Sequence, residues 1–94
     1  MFRLRIPDYL VKFIRGLHPD LKRKIRASLK RVTEEPDLGK PLKDELEGFR
    51  SIRVSRFRII YRVAGPKEIQ VVAIGPRTSI YEETFRLITR ESRL

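Results

Sequence analysis

Residues 50 to 81 constrain the fold of this chain most, because apolar residues alternate there with arginines. Successive side chains of a β-strand point to opposite faces of a sheet, so this alternation is typical of strands. Val54 and Phe57 flank the dipeptide Ser55-Arg56. The pattern therefore predicts a β-hairpin with a two-residue loop at that dipeptide.

The register of this hairpin places Ile52 opposite Ile59 and Arg53 opposite Arg58. Two like charges that face each other directly destabilise a sheet. Two explanations remain open for the arginine pair. The side chains splay into solvent on an exposed face, or an anion binds between them.

The next strand is predicted over Glu68 to Ile74, after a turn at Ala64 to Lys67. Antiparallel pairing returns the end of this strand to the start of the middle strand. Arg77 lies just beyond that end, so we expect it near Arg58.

A final helix is predicted to begin at Ser79, because Ser79 and Glu82 have the spacing of a capping box. The exposed N–H groups at a helix N-terminus favour an anion. We therefore expect one end of the sheet to gather four side chains, those of Arg53, Arg58, Arg77 and Tyr81.

The N-terminal half predicts a short edge strand over Phe2 to Ile6 and a helix over residues 7–16. A second helix begins at His18-Pro19-Asp20, with His18 as its cap, and ends before Pro36. Helices joined so tightly form an antiparallel hairpin. The predicted order is β-α-α-β-β-β-α, an α+β fold. It combines a small antiparallel sheet, an N-terminal helical hairpin on one face and a short C-terminal helix. The other face is expected to be partly open and to carry Arg53, Arg58 and Arg62.

Charge indicates the class of partner. The 94 residues, expected to form one domain over 1–94, hold 22 Lys and Arg against 12 Asp and Glu, a net charge of +10. Such a field favours nucleic acid first, an acidic protein segment second and a membrane surface a distant third. The outer face of the second helix is either a nucleic-acid surface or a solvated face; it carries Lys22, Arg23, Lys24, Arg26, Lys30 and Arg31.

Several function classes are disfavoured. The chain has no cysteine, and the acidic cluster Asp44, Glu45 and Glu47 matches no metal-binding spacing. A single histidine, His18, excludes a mechanism that uses two histidines. We expect no metal and no cofactor, and the lack of a long apolar run predicts a soluble cytoplasmic protein.

Four segments together resemble the RelE/ParE family of bacterial and archaeal toxins, over nearly the whole chain. They are Gly39 to Leu42, Arg53 to Arg62, Ile74 to Arg77, and Ile80-Tyr81. In the RelE branch, the resemblance implies cleavage of messenger RNA in the ribosomal A site, contact with ribosomal RNA and inhibition by a cognate antitoxin. The ParE branch shares the fold but inhibits DNA gyrase.

The resemblance also implies roles for single residues. Arg58 matches the family's strand arginine, Arg77 the arginine after the last strand, and Tyr81 the tyrosine at the start of the terminal helix. Arg53 matches a basic position, whereas a second basic position of the family is occupied by Ser51. The implied catalytic residues are thus Arg58, Arg77 and Tyr81, and the implied RNA- or phosphate-binding residues are Arg53, Arg56 and Arg62.

RNA cleavage by the neighbouring 2′-hydroxyl requires removal of its proton, stabilisation of a phosphorane and protonation of the 5′ oxygen. Arginine stays protonated and cannot be the base, but its planar fork suits phosphorane oxygens. Tyr81 is a candidate base, a platform for a nucleobase, or a core residue with its hydroxyl at the rim. Glu82 and Glu83 are the remaining acid/base candidates. A binding module without catalysis is the third functional hypothesis, beside the nuclease and the gyrase inhibitor.

Overall fold

The computed structural model of the protein describes the backbone of residues 1–92 and the side chains of residues 1–90. Within that part of the chain the strands are β1 (Arg3–Arg5), β2 (Lys40–Pro41), β3 (Arg50–Val54), β4 (Phe57–Gly65) and β5 (Glu68–Pro76). The α-helices are α1 (Asp8–Arg15), α2 (Pro19–Glu34) and α3 (Ile80–Ser92). The predicted α+β fold class is confirmed.

The β3–β4 hairpin has the predicted register. Val54 pairs with Phe57, and Arg53 pairs with Arg58. In the two-residue loop, Ser55 takes a positive φ of 57°, which the tight return of the chain requires at that position. Strand β5 then pairs antiparallel with β4 and places Gly75 opposite Arg58.

The sheet is mixed rather than purely antiparallel. Its strand order is β1-β5-β4-β3-β2, and β1 pairs in parallel with β5. The Arg3 N–H donates to the Lys67 carbonyl at 2.7 Å and fixes the start of that pairing. Alternation along a strand predicts which face of the sheet each side chain takes. The same alternation occurs in parallel and in antiparallel pairs, so it does not predict the direction of pairing. The edge position of β1 was predicted, but the prediction of an antiparallel sheet is wrong for β1, which runs parallel to β5.

Strand β2 is a short addition to the predicted order. Lys40 pairs with Ser51 and Pro41 pairs with Arg50, antiparallel to β3. Two residues are too few to show a period of two, and Pro41 occupies an edge position, where a missing N–H is tolerated. Residues 36–48, here called the connector, therefore close one edge of the sheet through β2.

The helical hairpin covers one face of the sheet, as predicted. Leu10 and Ile14 of α1 and Ile25 and Leu29 of α2 are buried against the strands; their partners there are Val54, Ile59, Val71 and Ile74. The His18 imidazole caps α2, because its Nδ1 accepts the Asp20 N–H at 3.2 Å.

Helix α3 covers part of the opposite face. Ile80 packs there in a second buried cluster with Phe49, Ile60 and Ala73. The carbonyl of Ser79 accepts the N–H of Glu83 at 3.1 Å, so the helix starts where the capping box predicted. The remainder of this face, at the β3–β4 turn, carries arginines, among them Arg53 and Arg58.

Tyr61 fixes the connector that carries β2. Its side chain is fully buried, its hydroxyl donates to the Pro36 carbonyl at 2.7 Å, and it accepts the Gly39 N–H at 2.8 Å. Burial raises the pKa of this phenol, an effect that the Gly39 N–H and the charge of Arg50 partly offset. Because Gly39 directly precedes Lys40, this one buried hydroxyl positions the edge strand beside β3.

Candidate active site

Arg58 lies at the centre of the arginine cluster. It is half-buried, and its Nε is buried without a hydrogen-bond partner among the described residues. A buried donor without an acceptor costs free energy unless something else accepts its hydrogen bond. The guanidinium of Arg58 is therefore ready to donate to an anion.

Gly75 lets α3 approach this point closely. A Cβ atom at Gly75 would lie 2.9 Å from Cδ1 of Ile80 and 3.6 Å from Oε2 of Glu83. A side chain there would force the Ile80 side chain to move. The missing side chain thus leaves room for Ile80, at the start of α3, to pack against Gly75, which pairs with Arg58.

Arg77 is held at the same end of the sheet by its backbone. Its N–H donates to the carbonyl of Arg56 at 3.2 Å, which ties the end of β5 to the hairpin turn. In the turn, Nε of Arg53 donates to the Ser55 carbonyl at 3.2 Å. An open hollow of about 720 Å³ results, here called the turn hollow; its lining is Arg53, Ser55, Arg56, Phe57, Arg58, Pro76, Arg77 and Thr78.

Tyr81 lies beside a second hollow that adjoins the first. Its ring is half-buried in the cluster under α3, and its hydroxyl lies 3.3 Å from Oγ of the buried Ser51. This opening of about 790 Å³, here called the tyrosine hollow, is lined by Lys40, Pro41, Leu42, Lys43, Arg58, Arg77 and Tyr81. The three residues implied to be catalytic thus line one space, and Arg58 and Arg77 line both hollows.

Arg62 lies apart from the other arginines. It is four residues from Arg58 along β4, about 13 Å at the usual rise of a strand. Its Nε donates to Oε1 of Gln70 at 2.9 Å, and its guanidinium lies 5.5 Å from the centre of the Phe49 ring. The residue shares a face with Arg58, as alternation requires, but lines neither hollow.

The positive charge of the two hollows is not neutralised by ion pairs within the described residues. The pairs found there are Arg5–Glu68, Arg23–Asp20, Arg50–Asp37 and Arg86–Glu82, and none includes a cation that lines either hollow. Clustered cations without counter-charges favour a bound anion. Glu82 binds Arg86, whereas Oε2 of Glu83 lies close to Gly75 at this end of the sheet.

Lys40 and Lys43 are the residues of the site that the sequence analysis did not assign. The segment Gly39 to Leu42 carries part of the family resemblance, and Lys40 within it was a usable signal; Lys43 directly follows the segment. Their place in the tyrosine hollow depends on the pairing of β2 with β3, which two residues do not reveal by periodicity. Ser51 was noted only as a departure from the family, whereas its hydroxyl contacts the tyrosine.

Two kinds of site are not formed by the described residues. Among the side chains of residues 1–90, no group of three or more His, Cys, Asp or Glu is placed to bind a metal ion. In the same part of the chain, no helix has the length and apolar character needed to cross a bilayer.

Comparisons with known proteins identify the family. The profile of the family described as the ParE toxin of type II toxin-antitoxin systems, parDE, matches residues 2–81. No curated protein matches the chain significantly.

Three solved structures show the same fold. The E. coli toxin RelE in the free state, in a doubly substituted form, is 20% identical, with a TM-score of 0.73 and 96% of each chain covered. The toxin chain of the RelBE2 complex of Mycobacterium tuberculosis is 23% identical, with a TM-score of 0.70; the match covers 81% of this chain and 98% of the other. The matching chain of the archaeal RelE–RelB complex of Pyrococcus horikoshii is 24% identical, with a TM-score of 0.66; the match covers 81% of this chain and 94% of the other. Because the family profile spans most of the chain and the fold agrees, the protein belongs to the ParE toxin family of type II toxin-antitoxin systems.

Proposed function

We propose that this protein is a toxin that cleaves messenger RNA at the ribosome. One observation carries the proposal: Arg58, Arg77 and Tyr81 line a single hollow on the sheet, together with two lysines and with no acidic residue in its lining. Arginines and an aromatic hydroxyl around one open hollow suit RNA, because guanidinium groups bind phosphate and aromatic rings stack on bases.

The proposed reaction is attack by the 2′-oxygen on the adjacent phosphorus. A bond forms between the 2′-oxygen and phosphorus, and the bond from phosphorus to the 5′-oxygen breaks. The products carry a 2′,3′-cyclic phosphate and a 5′-hydroxyl. The proton leaves the 2′-hydroxyl, and the departing 5′-oxygen takes a proton from water in the open hollow. No redox partner or metal ion is needed.

Arg58 and Arg77 are assigned to the phosphorane. Its equatorial oxygens gain negative charge in the transition state, and two guanidinium groups placed on them stabilise that charge more than the charge of the ground state. Arg58 is the more buried of the two, and its Nε has no hydrogen-bond partner among the described residues. Removing one such donor typically lowers the rate about 10²–10³-fold.

The hydroxyl oxygen of Tyr81 is assigned as the group that takes the 2′-hydroxyl proton. Its hydroxyl is oriented by Ser51 Oγ at 3.3 Å and opens onto the same space as the two arginines. Arg53 and Arg56, which line the turn hollow, are assigned to the phosphate backbone of the RNA. Arg62 is not assigned to the RNA, because it lines neither hollow and is engaged by Gln70.

A cognate antitoxin is the proposed regulator. Structures of similar fold include RelBE and RelE–RelB toxin-antitoxin complexes. We infer a protein antitoxin for this chain, in the cytoplasm of a prokaryote, with ribosomal RNA and messenger RNA as its other partners.

Primer extension on messenger RNA after induced expression tests the nuclease proposal. Translated transcripts should acquire new 5′ ends, and untranslated copies should stay intact. Arg58→Ala and Arg77→Ala should abolish cleavage while the variants fold. Arg5→Ala is the matched control: it removes an exposed arginine at the edge strand, paired with Glu68 at 2.8 Å, and should retain cleavage. Normal cleavage by both site variants would refute the assignment.

Inhibition of DNA gyrase is the second candidate function. The observation that favours it is the match to the ParE toxin profile over residues 2–81, because the ParE branch resembles this chain in fold without cleaving RNA. In that case, messenger RNA stays intact after induction while DNA breaks accumulate. The same primer-extension experiment, run beside an assay for DNA breaks, separates the two functions.

A further inference from the structure

The tyrosine hollow extends beyond the three residues assigned to catalysis. Lys40 and Lys43, from the connector, form its far wall, and Pro41 and Leu42 lie between them. Neither lysine takes part in an ion pair among the described residues. Two additional cations therefore face the space that Arg58 and Arg77 share.

The backbone holds these lysines in place. Lys40 pairs with Ser51, and directly paired residues project from the same face of a sheet. Ser51 in turn pairs with Ile60, on the face that α3 and Arg58 occupy. The Leu42 N–H donates to the Phe49 carbonyl at 2.9 Å, so the connector is fixed on both sides of Pro41.

The distance to the arginines suits a neighbouring nucleotide rather than the same phosphate. Lys40 lies on the second strand from Arg58 and is offset by two residues along the strands. The usual spacing between strands and rise per residue give a distance of about 12 Å between the two Cα atoms. Long side chains from both positions can reach adjacent phosphates of one backbone. Arg53, which pairs with Arg58, and Arg56 extend the positive charge from Arg58 to the β3–β4 turn, in the turn hollow.

We propose that Lys40 and Lys43 bind the phosphates of the nucleotides next to the cleaved bond, so that a single strand of RNA crosses the sheet end from the turn hollow to the connector. This inference rests on the proposed function for the position of the cleaved bond. The two lysines act as positioning residues: they hold the strand so that its central phosphate meets Arg58 and Arg77.

The test measures binding without cleavage. The probe is a single-stranded RNA of about ten nucleotides with 2′-O-methyl groups throughout, within the usual range of site sizes. Because each phosphate contact on a single strand contributes about 0.7 to the slope of log K against log salt, Lys40→Ala/Lys43→Ala should lower the slope by about 1.4. Fluorescence anisotropy across a salt series gives the slope.

The matched control is Lys12→Ala/Lys67→Ala, which removes the same charge. Lys67 lies in the β4–β5 turn, at the other end of these strands from Arg58. Lys12 is exposed on α1, which packs on the opposite face of the sheet from Arg58. The control pair should leave the slope unchanged, and Lys40→Arg/Lys43→Arg should keep the wild-type slope. If the alanine pair does not fold, Lys40→Gln/Lys43→Gln provides the same comparison.

Equal losses in both pairs, or no loss in the connector pair, would overturn the inference. The outcome is distinguishable from failure of the proposed function. If Arg58→Ala weakens binding and the connector pair does not, only the positioning role fails. If Arg58→Ala and Arg77→Ala also leave binding unchanged, the RNA site itself is wrong.

Discussion

Removing the Tyr61 hydroxyl should destabilise the protein by about 2–3 kcal/mol. The hydroxyl makes two hydrogen bonds, to the Pro36 carbonyl at 2.7 Å and from the Gly39 N–H at 2.8 Å, and the side chain is 0% exposed. Each bond contributes about 0.5–1.5 kcal/mol, and a buried group left without its partner adds to the cost. In a chain of 94 residues, this loss lowers the melting temperature by roughly 10–20 °C.

The assay is denaturant unfolding of Tyr61→Phe followed by circular dichroism. Tyr9→Phe is the control, because the Tyr9 hydroxyl also donates to a carbonyl, that of Val72 at 2.7 Å, but its side chain is 52% exposed. Water replaces that bond, so we expect a loss of about 0.5 kcal/mol or less. If the two variants lose the same small amount, the connector is not held by Tyr61 and the argument for the position of β2 is wrong.

Three further predictions concern the packing of Gly39, the ionisation of Tyr61 and the hydroxyl of Tyr81. Gly39→Ala should cost about 1–3 kcal/mol in unfolding experiments, because its Cβ would lie 2.6 Å from the Tyr61 hydroxyl oxygen, whereas Gly65→Ala, with nothing within 4 Å, should cost little. Burial raises the pKa of Tyr61 above its ordinary value of 10.0, so its neutral form favours the folded state; this contribution is complete below pH 10 and is lost as pH rises through the folded pKa. The difference in unfolding free energy between wild type and Tyr61→Phe should therefore shrink above pH 10, and a constant difference would contradict the assignment. Tyr81→Phe should lower the cleavage rate about 10²–10⁴-fold, as far as Tyr81→Ala does, if the hydroxyl accepts the proton; full activity of the phenylalanine variant would leave stacking as the role of the ring.

The hairpin at the centre of the site was predictable from local patterns. Alternation fixed the faces of β3 and β4, and the flanking Val54 and Phe57 fixed the register, which the structure reproduces. Once Arg58 is placed on β4 and β5 returns antiparallel, Arg77 has to lie near it. The gathering of Arg58, Arg77 and Tyr81 around one hollow follows from that geometry.

What the sequence did not predict depends on contacts between distant segments. The direction of β1 is set by pairing with β5, which alternation does not encode. Strand β2 consists of Lys40 and Pro41, too short for a period, and is positioned by Tyr61, 20 or more residues later in the chain. The two lysines of the tyrosine hollow were missed for this reason.

Arg62 shows the limit of reasoning from faces alone. It occupies the same face as Arg58, and that was the basis for expecting the two to act together. A face extends along the whole strand, however, and four residues of β4 separate Arg62 from Arg58. The contacts of Arg62 with Gln70 and the Phe49 ring belong to the region covered by α3.

Cleavage of a short messenger RNA on purified, programmed ribosomes tests the central claim most directly. The substrate is compared with an otherwise identical RNA that carries a 2′-deoxy sugar at the cleaved nucleotide. We predict a single cut in the first RNA, a 2′,3′-cyclic phosphate and a 5′-hydroxyl in its products by mass spectrometry, and no cut in the second. Equal cleavage of both RNAs, or no cleavage of either, would contradict attack by the neighbouring hydroxyl in the hollow formed by Arg58, Arg77 and Tyr81.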